Sequence, residues 1–380
     1  MLSVNSVKQR FQIRDSGTQY RTLWQCLHID IPLLFSILLL MALGLFILYS
    51  ASNKDAYVVE QQLIHTGLAL MVMILFAQIS PTTYQRWAPW LYLVGILLLI
   101  AVMVMGHSGK GAQRWLKIGF FRLQPSEIMK LAIPMLLAWH FQKIHLPLRI
   151  RTIFLSAILI LIPAVLTAKQ PDLGTAILLV VAGVTTLFLA GLSGWIITIL
   201  GGFAAVTAPV LWHFMHDYQR QRVLTFLNPE RDPLGTGYHI IQSKIAIGSG
   251  GLFGKGWLNG TQSHLHFLPE HATDFIFAAC GEEFGLIGSI ILITLFMIVV
   301  IRGLLITINA QDTFSRLLAG SLTITFFVSF FVNMGMVTGI LPVVGIPLPL
   351  VSYGGSSMVT LMASFGILMS IQTHRKLLTT

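Results

Sequence analysis

Asp30-Ile-Pro-Leu-Leu-Phe-Ser-Ile-Leu-Leu-Leu-Met-Ala-Leu-Gly-Leu-Phe-Ile-Leu-Tyr-Ser50 carries no charge after its first residue. As a helix it is about 30 Å long, the thickness of a bilayer's hydrocarbon core. It starts too late and runs too long for a cleaved leader, so it is expected to stay as the first membrane helix. Similar runs follow at 61–79, 88–106, 125–143, 152–168, 173–191, 195–215, 275–301, 315–338 and 351–373. The expected fold is an all-α polytopic membrane protein of about ten transmembrane helices, one membrane domain over residues 1–380. The ten-residue alternation of a membrane β-barrel is missing.

Composition points the same way. The 380 residues are 55% hydrophobic and 10% charged, where soluble domains carry about 25% charged residues. The formal charge of +10 is scattered through short loops, with no basic stripe interleaved with aromatics. That argues against nucleic acid and for anionic lipid headgroups. Cys26 and Cys280 lie far apart, one at a predicted cytosolic edge and one in a predicted span, so neither a disulfide nor a cysteine metal site is expected. An even number of spans puts the tails, 1–29 and 374–380, on one face. With the tails inside, inner segments collect twelve Lys and Arg; outer ones collect six once the long loop, which escapes the rule, is set aside. The tails are therefore expected in the cytoplasm, with one large extracytoplasmic loop, 216–274, between helices 7 and 8. The 107–123 loop is then unusually basic for an outer loop, which points to an anionic ligand.

Several polar constellations interrupt this apolar background. In Gln124-Pro-Ser-Glu-Ile-Met-Lys130, Glu127 and Lys130 share a helix face, and charges in hydrocarbon are expected to pair or to face a polar cavity. Either a structural ion pair or a lysine that reaches a substrate phosphate fits, and the two are compatible. In Lys169-Gln-Pro-Asp-Leu-Gly174, Asp172 suits a helix cap or a ligand contact. Gln113-Arg-Trp115 offers Arg114 for bidentate phosphate binding, or Trp115 as an interfacial anchor. The glycines of Gln242–Trp257, around Lys244 and Ser249, allow a ligand to approach the backbone or merely a compact loop; the spacing of a Walker A motif is absent.

The long loop closes with His264-Leu-His-Phe-Leu-Pro-Glu-His-Ala-Thr-Asp-Phe-Ile-Phe277. Asp274 there suits a general base, or the N-cap of a helix starting at Phe275. His264, His266, Glu270 and His271 match no strong zinc spacing. Glu282 and Glu283 lie two turns deeper, and at least one is expected to face the interior. Gly345-Ile-Pro-Leu-Pro-Leu-Val-Ser-Tyr-Gly-Gly-Ser-Ser357 reads as a tightly turned segment lining a cavity, since non-helical backbone at membrane depth needs protein or a cavity beside it.

Taken together and in this order, Gln-Pro-Ser-Glu-x-x-Lys, Gln-Pro-Asp-Leu-Gly, the glycine-rich stretch, Leu-Pro-Glu-x-x-Thr-Asp-Phe-Ile-Phe and Pro-Leu-Pro-x-x-Ser-Tyr-Gly-Gly-Ser resemble the SEDS family (shape, elongation, division and sporulation) over nearly the whole chain. Gln-Ser-Lys-Ile-Ala-Ile-Gly-Ser-Gly-Gly and the later Gly-Thr-Gln-Ser resemble its elongation branch, RodA, more than its division branch, FtsW. The resemblance implies the SEDS fold and a glycosyltransferase that polymerises lipid II into peptidoglycan at the outer face of the bacterial inner membrane. It implies a class B penicillin-binding protein and other elongation-complex membrane proteins as partners. It makes Asp274 the proposed base and Glu127 with Lys130 the family's buried pair, and it marks Arg114 and Asp172 as sensitive positions. Arg114, Lys117, Lys130, Lys244, Asp172 and Ser249 are the expected substrate-binding residues. A divalent cation, Mg or Mn, is compatible with the chemistry, but no carboxylate cluster reveals its ligands. The rival expectations are a lipid II flippase and a non-catalytic scaffold that activates a transpeptidase.

Overall fold

The computed structural model describes residues 27–109, 112–118, 121–144, 149–192, 217–231, 236–265 and 270–374, with 194, 195, 198, 202, 206 and 267 besides. The expected span at 195–215, Cys26 and most of both tails lie outside the described residues.

Helices begin where a side chain or a proline settles the first free N–H groups. Asp30 accepts from the Leu33 amide at 3.0 Å to open α1 (Ile31–Ala51), and Asp55 accepts from Tyr57 at 2.9 Å to open α2 (Ala56–Gln78). α3 (Pro81–Met105) starts on a proline. The basic 107–123 loop is an antiparallel meander of β1 (His107–Gly109), β2 (Ala112–Ile118) and β3 (Phe121–Leu123), in the order β1-β2-β3. There follow α4 (Pro125–Phe141), α5 (Ile150–Lys169) and α6 (Leu173–Leu189). The hydrophilic segment is itself largely helical, with α7 (Asp217–Leu227), a 3₁₀ turn at Pro229–Arg231, α8 (Thr236–Gly250) and α9 (Thr261–His264). α10 (Ile276–Ile308), α11 (Thr313–Thr338) and α12 (Ser356–Thr373) complete the bundle.

Seven of these helices are long and apolar enough to cross a membrane. Two 17-residue helices, α4 and α6, occupy two more of the expected spans. Burial ranks them: 61% of the apolar window of α11 and of α12 is buried, against 22% for α2 and α3. The first two therefore form the centre, and the second two present Leu, Ile and Trp outward to lipid. Both ends of the described chain meet on one face, where the rings of His28 and His374 stack at 3.8 Å. An even number of crossings has this consequence.

Two polar pins join α1 to α10. Arg302 forms a two-pronged pair with Asp30, at 3.0 and 2.5 Å, and Ser50 donates to the buried Glu283 at 2.5 Å. Asp30 and Ser50 lie about 30 Å apart along α1, a separation equal to the thickness of a hydrocarbon core.

Candidate active site

The loop before α10 is a tight turn. The amides of Thr273 and Phe275 both donate to the Glu270 carbonyl, at 3.0 and 3.2 Å, and the Thr273 hydroxyl donates to the Glu270 carboxylate at 2.9 Å. α10 starts at Ile276, so Phe275 holds the cap position and makes no side-chain cap bond. This corrects the cap reading of Asp274, which lies one residue too early for that role. Its half-buried carboxylate instead faces the turned segment after α11. Gly345 lies beside it: a Cβ there would sit 3.6 Å from Asp274 Oδ2, and its φ of +77° favours glycine.

That segment is fixed from every side. Ser352 Oγ donates to the Thr273 carbonyl at 2.6 Å and accepts from the Leu348 amide at 2.8 Å; the Tyr353 amide donates to the Ala272 carbonyl at 2.9 Å. Gln62, buried on α2, donates to the Ser352 carbonyl and accepts from the Gly354 amide, both at 3.3 Å. Arg222 of α7 donates to the Val343 and Val344 carbonyls at 3.3 and 3.2 Å. Asn333, fully buried on α11, donates to the Asp274 carbonyl at 2.9 Å and to the Ile346 carbonyl at 2.7 Å. One amide thus sets the register of the acid against the segment it faces. Asn333→Leu is expected to leave both carbonyls unpaired, at about 1–3 kcal/mol each, and to lower turnover more than it raises KM. Steady-state kinetics alongside a melting curve check this.

The other side of the segment meets α6. A Cβ at Gly174 would come 2.9 Å from the Val344 carbonyl. Just before it, Asp172 caps Thr175 at 3.2 Å, accepts from Gln124 at 3.0 Å, and lies 3.9 Å from Arg114, which also donates to the Pro171 carbonyl. The cap reading of Asp172 therefore holds, and the same carboxylate gathers Arg114 from β2. From the membrane side, Lys130 pairs with Glu127 at 2.8 Å and lines a small cavity of about 60 Å³ with Pro347, Pro349, Ser352 and Ser357. Asp274 and Lys130 thus meet one segment, 343–357, and the start of α6, where Asp172 holds Arg114, packs through Gly174 against its Val344 end.

The remaining expected residues lie elsewhere. Lys244 crosses Gly339 at the end of α11, and Ser249 donates within its own helix to the Ala246 carbonyl at 2.8 Å. Neither is joined to this segment by a described contact. Lys117 pairs through its backbone with Arg122; its side chain, like those of His264 and His266, lies outside the described residues. No cluster of three or more His, Cys, Asp or Glu gathers among the described residues. Burial holds the His239 imidazole, stacked on Phe275, below its usual pKa against the opposing pull of Glu270.

The glycine-rich stretch takes the second of its two alternatives, a compact, protein-packed turn. Residues 242–250 are helical, and 250–256 lie against a break in α10 at Gly285, whose φ is +64°. The Lys255 and Gly256 amides donate to the Glu282 and Glu283 carbonyls at 3.0 Å; the Leu286 and Ile287 amides donate back to Gly251 and Leu252 at 3.0 and 3.2 Å. The glycines allow backbone to meet backbone, and the partner is protein. The Glu282 carboxylate, fully buried like that of Glu283, takes Lys255 at 2.7 Å and the Thr261 amide at 2.8 Å. A Cβ at Gly254 would fall 2.1 Å from the Glu283 carbonyl. Gly254→Val is therefore expected to cost at least about 2 kcal/mol, as other strained or overpacked sites do, read as a lower melting temperature in detergent.

The family model described as "Cell cycle protein" for FtsW, RodA and SpoVE matches residues 31–377. The chain belongs to the SEDS family. It is 52% identical to the peptidoglycan glycosyltransferase MrdB of Escherichia coli K12 over 94% of this chain and 97% of that one. The stage V sporulation protein E of Bacillus subtilis is 33% identical over 91% and 98%. Among solved structures, a chain from a peptidoglycan synthase complex that coordinates polymerization with crosslinking superposes with a TM-score of 0.79 at 32% identity, covering 91% of this chain and 99% of that one. The RodA crystal structure from Thermus thermophilus gives 0.70 at 27%, covering 91% and 98%. In this SEDS protein, Asn333, Arg222 and Gln62 are the site-forming residues that sequence reasoning passed over. Asn333 and Gln62 are polar side chains within apolar runs, and that was the available signal; Arg222, in the polar stretch 217–222, carried none.

Proposed function

We propose that this protein is a peptidoglycan glycosyltransferase of the elongation branch, polymerising lipid II into glycan strands with Asp274 as general base. The 52% identity to MrdB over 94% of the chain carries this reading. Asp274 would accept the proton of an acceptor sugar's 4-hydroxyl as its oxygen bonds to the donor's anomeric carbon. The bond from that carbon to undecaprenyl pyrophosphate breaks, and the pair of electrons leaves with the pyrophosphate. The transition state has oxocarbenium character, as in glycoside hydrolysis. Cations near the leaving group stabilise its growing charge. Lys130 and Arg222, which border segment 343–357, and Arg114, held by Asp172, are the candidates. A divalent cation has no ready set of ligands among the described residues, and no step is routed through one. The partner is a class B penicillin-binding protein that cross-links the product, the tails are cytoplasmic, and Asp274 faces the periplasm.

The test is purified protein, with and without that transpeptidase, given lipid II in detergent. Glycan product is the expected result, and there is no membrane for a flippase to act across. No product in either arm would overturn the polymerase reading and favour a flippase or a scaffold.

A further inference from the structure

The hydrophilic segment carries an apolar tip. Leu252 is 61% and Phe253 79% exposed, beside a Trp257 that stacks on Phe46 of α1 at 4.3 Å and donates to its carbonyl at 3.4 Å. A soluble loop tip is a poor place for such a pair. Its depth gives the reason. Ser50 lies just before the polar turn Ser52–Asp55 that closes α1, with Lys54 and Asp55 exposed, and so lies near the edge of the hydrocarbon core on this side. Phe46 lies four residues nearer the core than Ser50, about 6 Å. Leu286 and Ile287, whose amides bond to the carbonyls of Gly251 and Leu252, lie on the core side of Glu283, across the break at Gly285. The tip is therefore held below the edge of the apolar slab, at the level of lipid-facing Leu286, Ile287 and Ile290.

The geometry points to a membrane-inserted element: residues 251–257 dip into the leaflet on the loop's side, and Leu252 and Phe253 contact acyl chains. The exposed apolar wall of α1 and α10 continues onto the tip through Phe46, Leu286 and Ile287, which selects lipid as the occupant. Trp257 sits where interfacial tryptophans collect. Lys255, turned back onto the buried Glu282, keeps its charge out of the apolar layer. The hydrogen bonds at the α10 break satisfy the non-helical backbone, as insertion requires. Insertion moors the otherwise hydrophilic segment at headgroup height, whatever reaction the protein performs.

The test is nitroxide accessibility in lipid nanodiscs, with both native cysteines replaced and single labels placed by Phe253→Cys and, independently, Leu252→Cys. Glu230→Cys on the exposed face and Ile290→Cys on the lipid face serve as references. Both tip labels are expected to favour collision with oxygen over a water-soluble nickel chelate several-fold more than the label at 230, as the label at 290 does. Tip labels that match 230 would overturn insertion. So would labels shielded from both reagents, which would place a second protein over the tip. The two tip side chains are mostly exposed, so labelling them leaves the fold's packing intact.

Discussion

Asp274→Asn is expected to reduce glycan polymerisation by about 10²- to 10⁴-fold, the usual contribution of a positioned general base. The amide keeps the shape of the carboxylate and loses its basicity. The backbone of residue 274 is held by the Asn333 amide on its carbonyl and by the Glu270 turn on either side of it. The variant should therefore fold, melt near the parent temperature and bind the transpeptidase. The rising limb of the pH–rate profile should disappear with the base. Asp274→Glu should recover only part of the rate, because the longer side chain displaces the carboxylate from its place beside Gly345. Parent-like polymerisation by Asp274→Asn in detergent would remove Asp274 from the chemistry.

The membrane spans were legible because a run of about 20 apolar residues has few other stable fates. The observed α1, α4, α5 and α6 each start within two residues of the expected positions. Asp172 as a cap was legible for a similar reason, since capping is local. Its pairing with Arg114 was not, because the meander that brings β2 to α6 forms by contacts distant in sequence. The glycine-rich stretch was ambiguous on physical grounds: exposed backbone N–H groups suit a phosphate and a carbonyl equally well. Only the break at Gly285 settles the choice, and nothing in the sequence set that glycine apart from Gly281, Gly288 and Gly303 of the same helix. Asn333 shows the opposite case. An amide within an apolar helix must find partners, so its importance was readable while its partners were not.

The second large effect separates two roles of the Glu127–Lys130 pair. The side chains are 7% and 19% exposed and 2.8 Å apart. Lys130→Met alone leaves a carboxylate buried without its partner, which typically costs about 3–5 kcal/mol. That variant is expected to lose both stability and activity, and so it does not discriminate between the roles. Replacing both residues does, because an ion pair exchanged for apolar side chains of similar volume is often neutral or stabilising. Glu127→Leu with Lys130→Met should recover most of the melting temperature. If the pair only locks α4 into the bundle, polymerisation returns with it. If Lys130 also reaches the pyrophosphate, the double variant stays folded and inactive. The second outcome is expected, because Lys130 lines the cavity beneath Pro347–Leu350, the segment that faces Asp274 on its other side. Melting curves and lipid II polymerisation measured on the same preparation decide between them, and a stable, fully active double variant would reduce the lysine to a structural part.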